Sequence, residues 1–168
     1  MESSELALPL PQLAGIEIVD TPGMNDPVPS RITKTLDYMA ECDVVFFLSA
    51  CSRLLDDSDQ ELLAAQLPAK GVKRLVLVAA QLDGAILDDG FDRRSLSECE
   101  ANLHQRLQAH ARRNLEQLAA QREKHGLTDV AALVRGIGAP LFASTYAQAL
   151  ATLPPERWSS GQRHVHQQ

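Results

Sequence analysis

The residues best suited to chemistry near the start of the chain lie within residues 15–23, GIEIVDTPG. Residues 16–19 are mostly β-branched and lie between a glycine and a Pro-Gly pair, which predicts a strand. Open α/β sheets bind ligands beyond the carboxyl ends of their strands, and Asp20 and Gly23 follow this one directly. A carboxylate suits hydrated Mg²⁺, and a glycine lets its backbone N–H approach a phosphate. The alternative is a strand that ends in a plain proline turn.

Polar residues also end two later apolar runs. Gln81 and Asp83 follow one run, and Ser144 ends another. The carboxyl ends of parallel strands meet at one edge of a sheet, so these residues are expected beside Asp20. Transfer of a phosphoryl group depends mainly on positioning and charge stabilisation, which residues gathered at one edge are placed to supply. For Asp83 the alternative is a polar turn with the following glycine.

Apolar periodicity predicts strands and helices that alternate along the chain. Strands are predicted at 16–19, 43–49, 75–80 and 139–144, and helices at 30–39, 59–67, 95–124 and 145–153. The sequence Ser95-Leu96-Ser97-Glu98 matches a capping box at the start of the long helix. The segments 51–59 and 84–92 are predicted to be polar loops. This alternation predicts an α/β fold with a mostly parallel sheet and helices on both faces.

Composition excludes several classes of function. The 168 residues are 45% hydrophobic and 23% charged, which is ordinary for a globular protein. A net charge of −6 argues against nucleic acid as a partner and against a generally anionic membrane surface. Three unclustered cysteines predict a reducing, cytoplasmic location rather than a disulfide framework. No apolar run is long enough for a membrane-spanning helix.

The strand followed by Asp20-Thr21-Pro22-Gly23 resembles the Walker B and switch II segment of GTPases. Met24-Asn25-Asp26-Pro27 and the acidic loop at 51–59 make the resemblance strongest to bacterial dynamin-like GTPases. This resemblance implies a P-loop GTPase-like fold, with GTP and Mg²⁺ as ligands and a cytoplasmic site of action that extends to the membrane periphery. It also implies contact with a membrane and self-association through regions outside this sequence.

The resemblance also assigns roles to single residues. Asp20 and Gly23 are the catalytic candidates, Asp20 is the Mg²⁺ candidate, and nucleotide contacts are expected from Thr21, Pro22, Gln81, Asp83 and Ser144. Ala80-Gln81-Leu82-Asp83 occupies the place of the family's Asn/Thr-Lys-x-Asp segment, in which the aspartate reads guanine. Asp83 is retained, whereas Gln81 replaces the lysine whose stem stacks on the nucleotide. Ser144 lies in a segment that resembles the family's Ser-Ala-Lys type, whose backbone N–H contacts the guanine oxygen.

One element of the family is missing from the sequence. No Gly-x-x-x-x-Gly-Lys-Ser/Thr occurs, so the lysine and backbone amides that hold the β- and γ-phosphates are absent. We therefore expect residues 1–153 to form a partial GTPase domain that is inactive alone, followed by a polar tail at 154–168. The alternative is a non-enzymatic remnant or protein-interaction module that uses the acidic loops or the long helix. A response-regulator-like fold is disfavoured, because no lysine ends the last predicted strand.

The missing phosphate loop also leads to a prediction about the sheet. In the family, the strand before that loop lies between the strands that correspond here to residues 16–19 and 44–49. Without it, we expect those two strands to pair directly in parallel, because an empty slot would leave backbone groups unpaired. The same exposed edges predict a tendency to aggregate.

Overall fold

The structure is a computed structural model, and it describes residues 11–21, 38–66, 72–88, 95–159 and 163. Its three strands are β1 (Val44–Ala50), β2 (Arg74–Ala80) and β3 (Leu141–Phe142). Its helices are α1 (Asp57–Gln66), α2 (Leu82–Asp88), α3 (Leu96–Lys124), α4 (Thr128–Arg135) and α5 (Thr145–Thr152). Short 3-10 turns are formed by Pro11–Leu13, Cys51–Arg53 and Pro155–Arg157. Of the helix predicted at 30–39, only the end is described, and residues 38–41 are helical.

The three strands form one parallel sheet in the order β1-β2-β3. Val45 pairs with Leu75 and Phe47 with Leu77 along β1 and β2, and Ala79 pairs with Phe142 of β3. Each strand is joined to the next by helical segments, as parallel strands require. The prediction of an α/β fold with a parallel sheet is therefore confirmed.

One face of the sheet is covered by helices. Leu75, Leu77 and Ala79 point to this face and are 2%, 2% and 0% exposed. Phe142 points to the same face and stacks on His104 of α3, with ring centroids 3.9 Å apart, while α4 contacts β2. Right-handed connections between strands in the order 1-2-3 all lie on the same side of the sheet, which accounts for the one-sided helical layer.

The other face is open in the described part of the chain. Val44, Phe46 and Leu48 of β1 are 42%, 60% and 65% exposed, and Leu141 of β3 is 56% exposed. The prediction of helices on both faces was therefore wrong for these residues. The strand order explains this difference. With right-handed connections, a helix reaches this face only when its connection leads to a strand on the outer side of β1.

Helix α3 follows the sequence prediction closely. The Ser95 side chain accepts a hydrogen bond from the Glu98 backbone N–H, and Glu98 accepts in return from the Ser95 N–H, so the capping box is present. After the helix ends, Gly126 has a φ of 77°, a left-handed conformation that glycine adopts without strain. The apolar stripe of α3 packs into the main core through Cys99, Leu103, Ala111, Leu115, Leu118 and Ala119.

The strand predicted at residues 16–19 is absent, so that prediction was wrong. Residues 16–21 have no regular secondary structure, and Ile16 and Ile18 are 59% and 71% exposed. The Ile16 N–H donates instead to the Leu13 carbonyl at 3.0 Å, which closes a turn. The predicted pairing with β1 is likewise wrong, because β1 pairs only with β2 among the described residues. A β-branched run forms a strand only when a neighbouring strand accepts its hydrogen bonds.

Both predicted polar loops contain helix in the described residues. Residues 82–88 form α2, whose Leu82, Ala85 and Ile86 are buried at helical spacing. The central Gly84 hid this pattern, since glycine lowers helix propensity by about 1 kcal/mol relative to alanine. Within residues 51–59, a 3-10 turn is followed by the start of α1.

Helix α4 was not predicted. Among the described residues, the helices are all too short or too polar to cross a membrane.

Candidate functional site

The carboxyl edge of the sheet brings together two of the predicted nucleotide-binding residues. Asp83 lies in the first turn of α2 after β2, and Ser144 follows β3. The Ser144 Oγ donates a hydrogen bond to Asp83 Oδ1 at 2.5 Å. The same Oγ accepts from the Ala147 N–H at 3.0 Å and so caps α5. One hydroxyl therefore orients both the carboxylate and the start of a helix.

The backbones of these two segments are also joined. The Ala143 N–H donates to the Ala79 carbonyl at 2.9 Å, and the Leu82 N–H donates to the Ala143 carbonyl at 3.2 Å. The ladder between β2 and β3 thus continues one step beyond the last strand residue. This places Asp83 and Ser144 on adjacent, mutually supported turns rather than on free loops.

Gln81 stands between β2 and α2 in an unusual backbone conformation. Its φ is 59°, in the left-handed region that side-chain-bearing residues rarely adopt. The Gln81 carbonyl accepts from the Ala85 N–H at 3.3 Å, and the residue as a whole is exposed. The sharp reversal turns the chain directly from strand into helix, which puts Asp83 at the sheet edge. Such strained residues concentrate at functional sites.

Cys51 belongs to the same edge, although the sequence did not single it out. It follows β1 directly and is 4% exposed. Burial raises the pKa of the Cys51 thiol, and the negative charge of Asp83 raises that pKa further. Helix α2, which carries Asp83, also contacts the 3-10 turn that begins at Cys51, so the carboxyl ends of β1 and β2 are neighbours. The sequence did place this cysteine directly after a predicted buried strand, which could have identified it as a residue of the sheet's carboxyl edge.

This environment predicts that Cys51 is chemically inert in the native protein. Its raised pKa leaves little thiolate at pH 8, and burial blocks access. Cys99 is 1% exposed, whereas Cys42 is half-buried. We therefore expect an aromatic disulfide reagent to modify one thiol quickly, and Cys42→Ser to abolish that fast phase. Rapid reaction of two or more thiols in the native state would contradict this burial pattern.

The turn after β1 is held by side chains rather than being a free acidic loop. Leu54 and Leu55 are 3% and 1% exposed, and Leu55 has a φ of 54°. The Leu55 N–H donates to Ser49 Oγ at 3.1 Å. Its carbonyl accepts from Gln60 Nε2 at 2.9 Å and from Asn114 Nδ2 at 3.3 Å. These contacts fix a left-handed leucine that would otherwise cost about 1–2 kcal/mol.

The catalytic candidates are not brought to this edge by any described contact. Asp20 and Thr21 are exposed and belong to no strand. Pro22 and Gly23 lie outside the described residues. In the part of the chain that the structure describes, His, Cys, Asp and Glu side chains form no group of three or more suited to a metal ion. The role of Asp20 as a Mg²⁺ ligand therefore stays a prediction, since this ion can be held by one carboxylate together with water and phosphate oxygens.

A separate groove lies at the opposite, amino end of the sheet. Its volume is about 340 Å³, and it opens between the start of β2 and α4. Most of its lining is apolar, with Lys73, Arg74 and Asp129 as the charged members. None of the predicted site residues lines it, so it is distinct from the carboxyl edge.

Comparison with known proteins gave no relatives for this chain. No protein-family model, no curated protein and no solved structure matches it.

Proposed function

We propose that this chain carries the guanine-recognition part of a dynamin-like GTP-binding domain with a P-loop GTPase-like fold. The observation that supports the proposal is the hydrogen bond between Ser144 and Asp83 at the carboxyl edge of two adjacent parallel strands. The resemblance assigned these two residues, from separate segments of the sequence, to the same base. Their meeting at one edge is the arrangement that such a base site requires.

The chemistry of the two residues suits a guanine base. One Asp83 oxygen is held by Ser144, which orients the carboxylate. A carboxylate accepts hydrogen bonds from two neighbouring N–H donors, the pattern that the Watson–Crick edge of guanine presents. The first N–H groups of α5 have no acceptor within the helix, and the resemblance assigns one of them to the guanine oxygen. Gln81 offers an amide in place of the family's lysine.

Base recognition is testable by NMR with free nucleosides. Guanosine is expected to shift the amide resonances of residues 81–83 and 143–145 with a dissociation constant of about 1 mM or weaker, because a base alone offers few contacts. Adenosine lacks the paired donors and is expected to shift them far less. Asp83→Ala should remove the guanosine response, because it deletes the carboxylate acceptors.

Asp88→Ala is the matched control for this variant. Asp88 is the last residue of the same helix, five positions after Asp83, and is exposed. It should leave the guanosine response intact. Equal responses to guanosine and adenosine, or an unchanged response in Asp83→Ala, would mean that the edge does not read guanine.

The phosphates should add little affinity in this chain. The sequence has no glycine-rich loop with a lysine, and that loop normally supplies most contacts to a triphosphate. Calorimetry with GTP and Mg²⁺ is therefore expected to show no micromolar binding, which would correspond to about −8 kcal/mol. In this proposal Asp20 is the Mg²⁺ ligand and Gly23 the γ-phosphate contact of the intact family site. Micromolar binding of GTP would overturn the proposal that the domain is partial.

A second candidate function is a non-enzymatic interaction module. The open sheet face favours it, because Phe46 and Leu48 expose 60% and 65% of their surfaces, and exposed apolar patches mark interaction sites.

We place either activity in the cytoplasm. In the described part of the chain, Cys42, Cys51 and Cys99 form no disulfide, as is typical of reducing compartments.

A further inference from the structure

The outer edge of β1 is unpaired within the described chain. β1 comprises seven residues, and all of its partners lie in β2. Residues 16–19 have the composition of a strand but form no ladder with β1. An unpaired edge presents a row of backbone N–H and C=O groups that another strand can use.

Residues 44–50 carry none of the sequence features that normally prevent association at an edge strand. Their sequence, VVFFLSA, contains no charged residue, proline or glycine. Natural edge strands are protected by lysine, proline, bulges or short length. Uncharged segments of six or seven residues with high β-propensity favour pairing with identical copies. Sequence and position therefore both mark β1 as an association site.

We propose that β1 pairs with β1 of a second copy of this chain in an antiparallel, two-fold arrangement. A two-fold axis at Phe47 places Phe46 of one copy opposite Leu48 of the second copy, and Leu48 opposite Phe46. Aromatic–aliphatic pairs of this kind stabilise neighbouring strands. Val44 then faces Ala50. Because Phe46 and Leu48 are more than half exposed, this register gives the most exposed apolar side chains of the edge a cross-strand neighbour.

A second copy fits this edge better than other occupants do. The strand of the second copy has the same length and the complementary pattern, and pairing through one two-fold axis closes the assembly. The apolar residues Ile16 and Ile18 of the same chain have no regular structure. One strand pair covers less than the roughly 1,200–2,000 Å² of a standard interface. The dimer is therefore weak and depends on concentration.

Analytical ultracentrifugation with hydrogen exchange tests this pairing on the full chain. Between about 10 µM and about 1 mM, a range in which weak complexes form, the average mass should rise toward twice that of the monomer. Backbone amides of residues 44–50 should gain protection over the same range. Leu48→Lys should weaken association at least about tenfold, because it removes the contact between Leu48 and Phe46 of the second copy and places a lysine on the edge strand, where lysine opposes pairing.

Leu141→Lys is the control, since Leu141 is 56% exposed on the same open face but lies on β3. It should change association by less than about twofold, since it lies away from the β1 edge. Equal loss in both variants would show that the face associates, not the edge. A monomer at every concentration, or masses well beyond twice the monomer, would also overturn the two-fold β1 pairing.

Discussion

Replacing Leu77 by alanine is expected to lower the free energy of unfolding by about 3 kcal/mol, within the 2–5 kcal/mol range of such core substitutions. Leu77 lies at the centre of β2 and is 2% exposed. It pairs with Phe47 on β1 and points into the main core. The substitution removes apolar surface from the core and leaves a cavity, because the surrounding side chains relax only partly. Urea denaturation followed by circular dichroism measures the change.

Leu87→Ala is the matched control for this substitution. Leu87 is a leucine on α2, but it is 66% exposed, so its removal should change stability by no more than about 0.5 kcal/mol. If Leu77→Ala were equally mild, the β2 side chains would not form the core, and the one-sided packing of helices on the sheet would be wrong.

The parallel sheet was predictable because its strands are nearly continuous apolar runs. β1 and β2 begin and end within one residue of the predicted bounds. Long helix α3 was equally clear, since the capping box and Gly126 mark its two ends. In these elements, local propensity and burial favour the same structure, so the sequence pattern alone is sufficient.

The wrong predictions occurred where local pattern and tertiary context disagree. Residues 16–19 have strand character, but no described neighbour accepts their hydrogen bonds. Gly84 interrupts the pattern of α2, yet Leu82 and Ile86 bury against the core and stabilise the helix. The open face was missed because the number of helical layers depends on strand order, which periodicity does not contain.

The candidate site was only partly predictable for the same reason. Asp83 and Ser144 were found because polar residues at strand ends are visible in sequence, and their contact follows from adjacent parallel strands. The left-handed backbones of Gln81 and Leu55 were not visible. Neither is a glycine or an asparagine, so local preference gave no indication of these conformations. The Leu55 backbone is held by side chains from other parts of the fold.

The second large effect is expected at Ser49, the buried polar residue near the carboxyl end of β1. Ser49 is 4% exposed, and its Oγ donates to Asp59 Oδ2 at 2.5 Å and accepts from the Leu55 N–H. In Ser49→Ala, the Leu55 N–H remains buried without an acceptor, which costs about 1–3 kcal/mol. The left-handed Leu55 also loses one of its supports. We expect a total loss of about 2–3 kcal/mol in the free energy of unfolding.

A double-mutant cycle separates the hydrogen bond from the other consequences of the substitution. Ser49→Ala and Asp59→Ala should show a coupling energy of about 1 kcal/mol or more, because the two side chains share one bond. Ser58→Ala, at an exposed position of α1, is the control and should stay within about 0.5 kcal/mol. The Leu55 amide should exchange faster with solvent in Ser49→Ala, since its acceptor is gone. A Ser49→Ala protein as stable as the parent, with the Leu55 amide still protected, would show that Ser49 does not hold this turn. The fixed turn beside Cys51 and Asp83 would then need another cause.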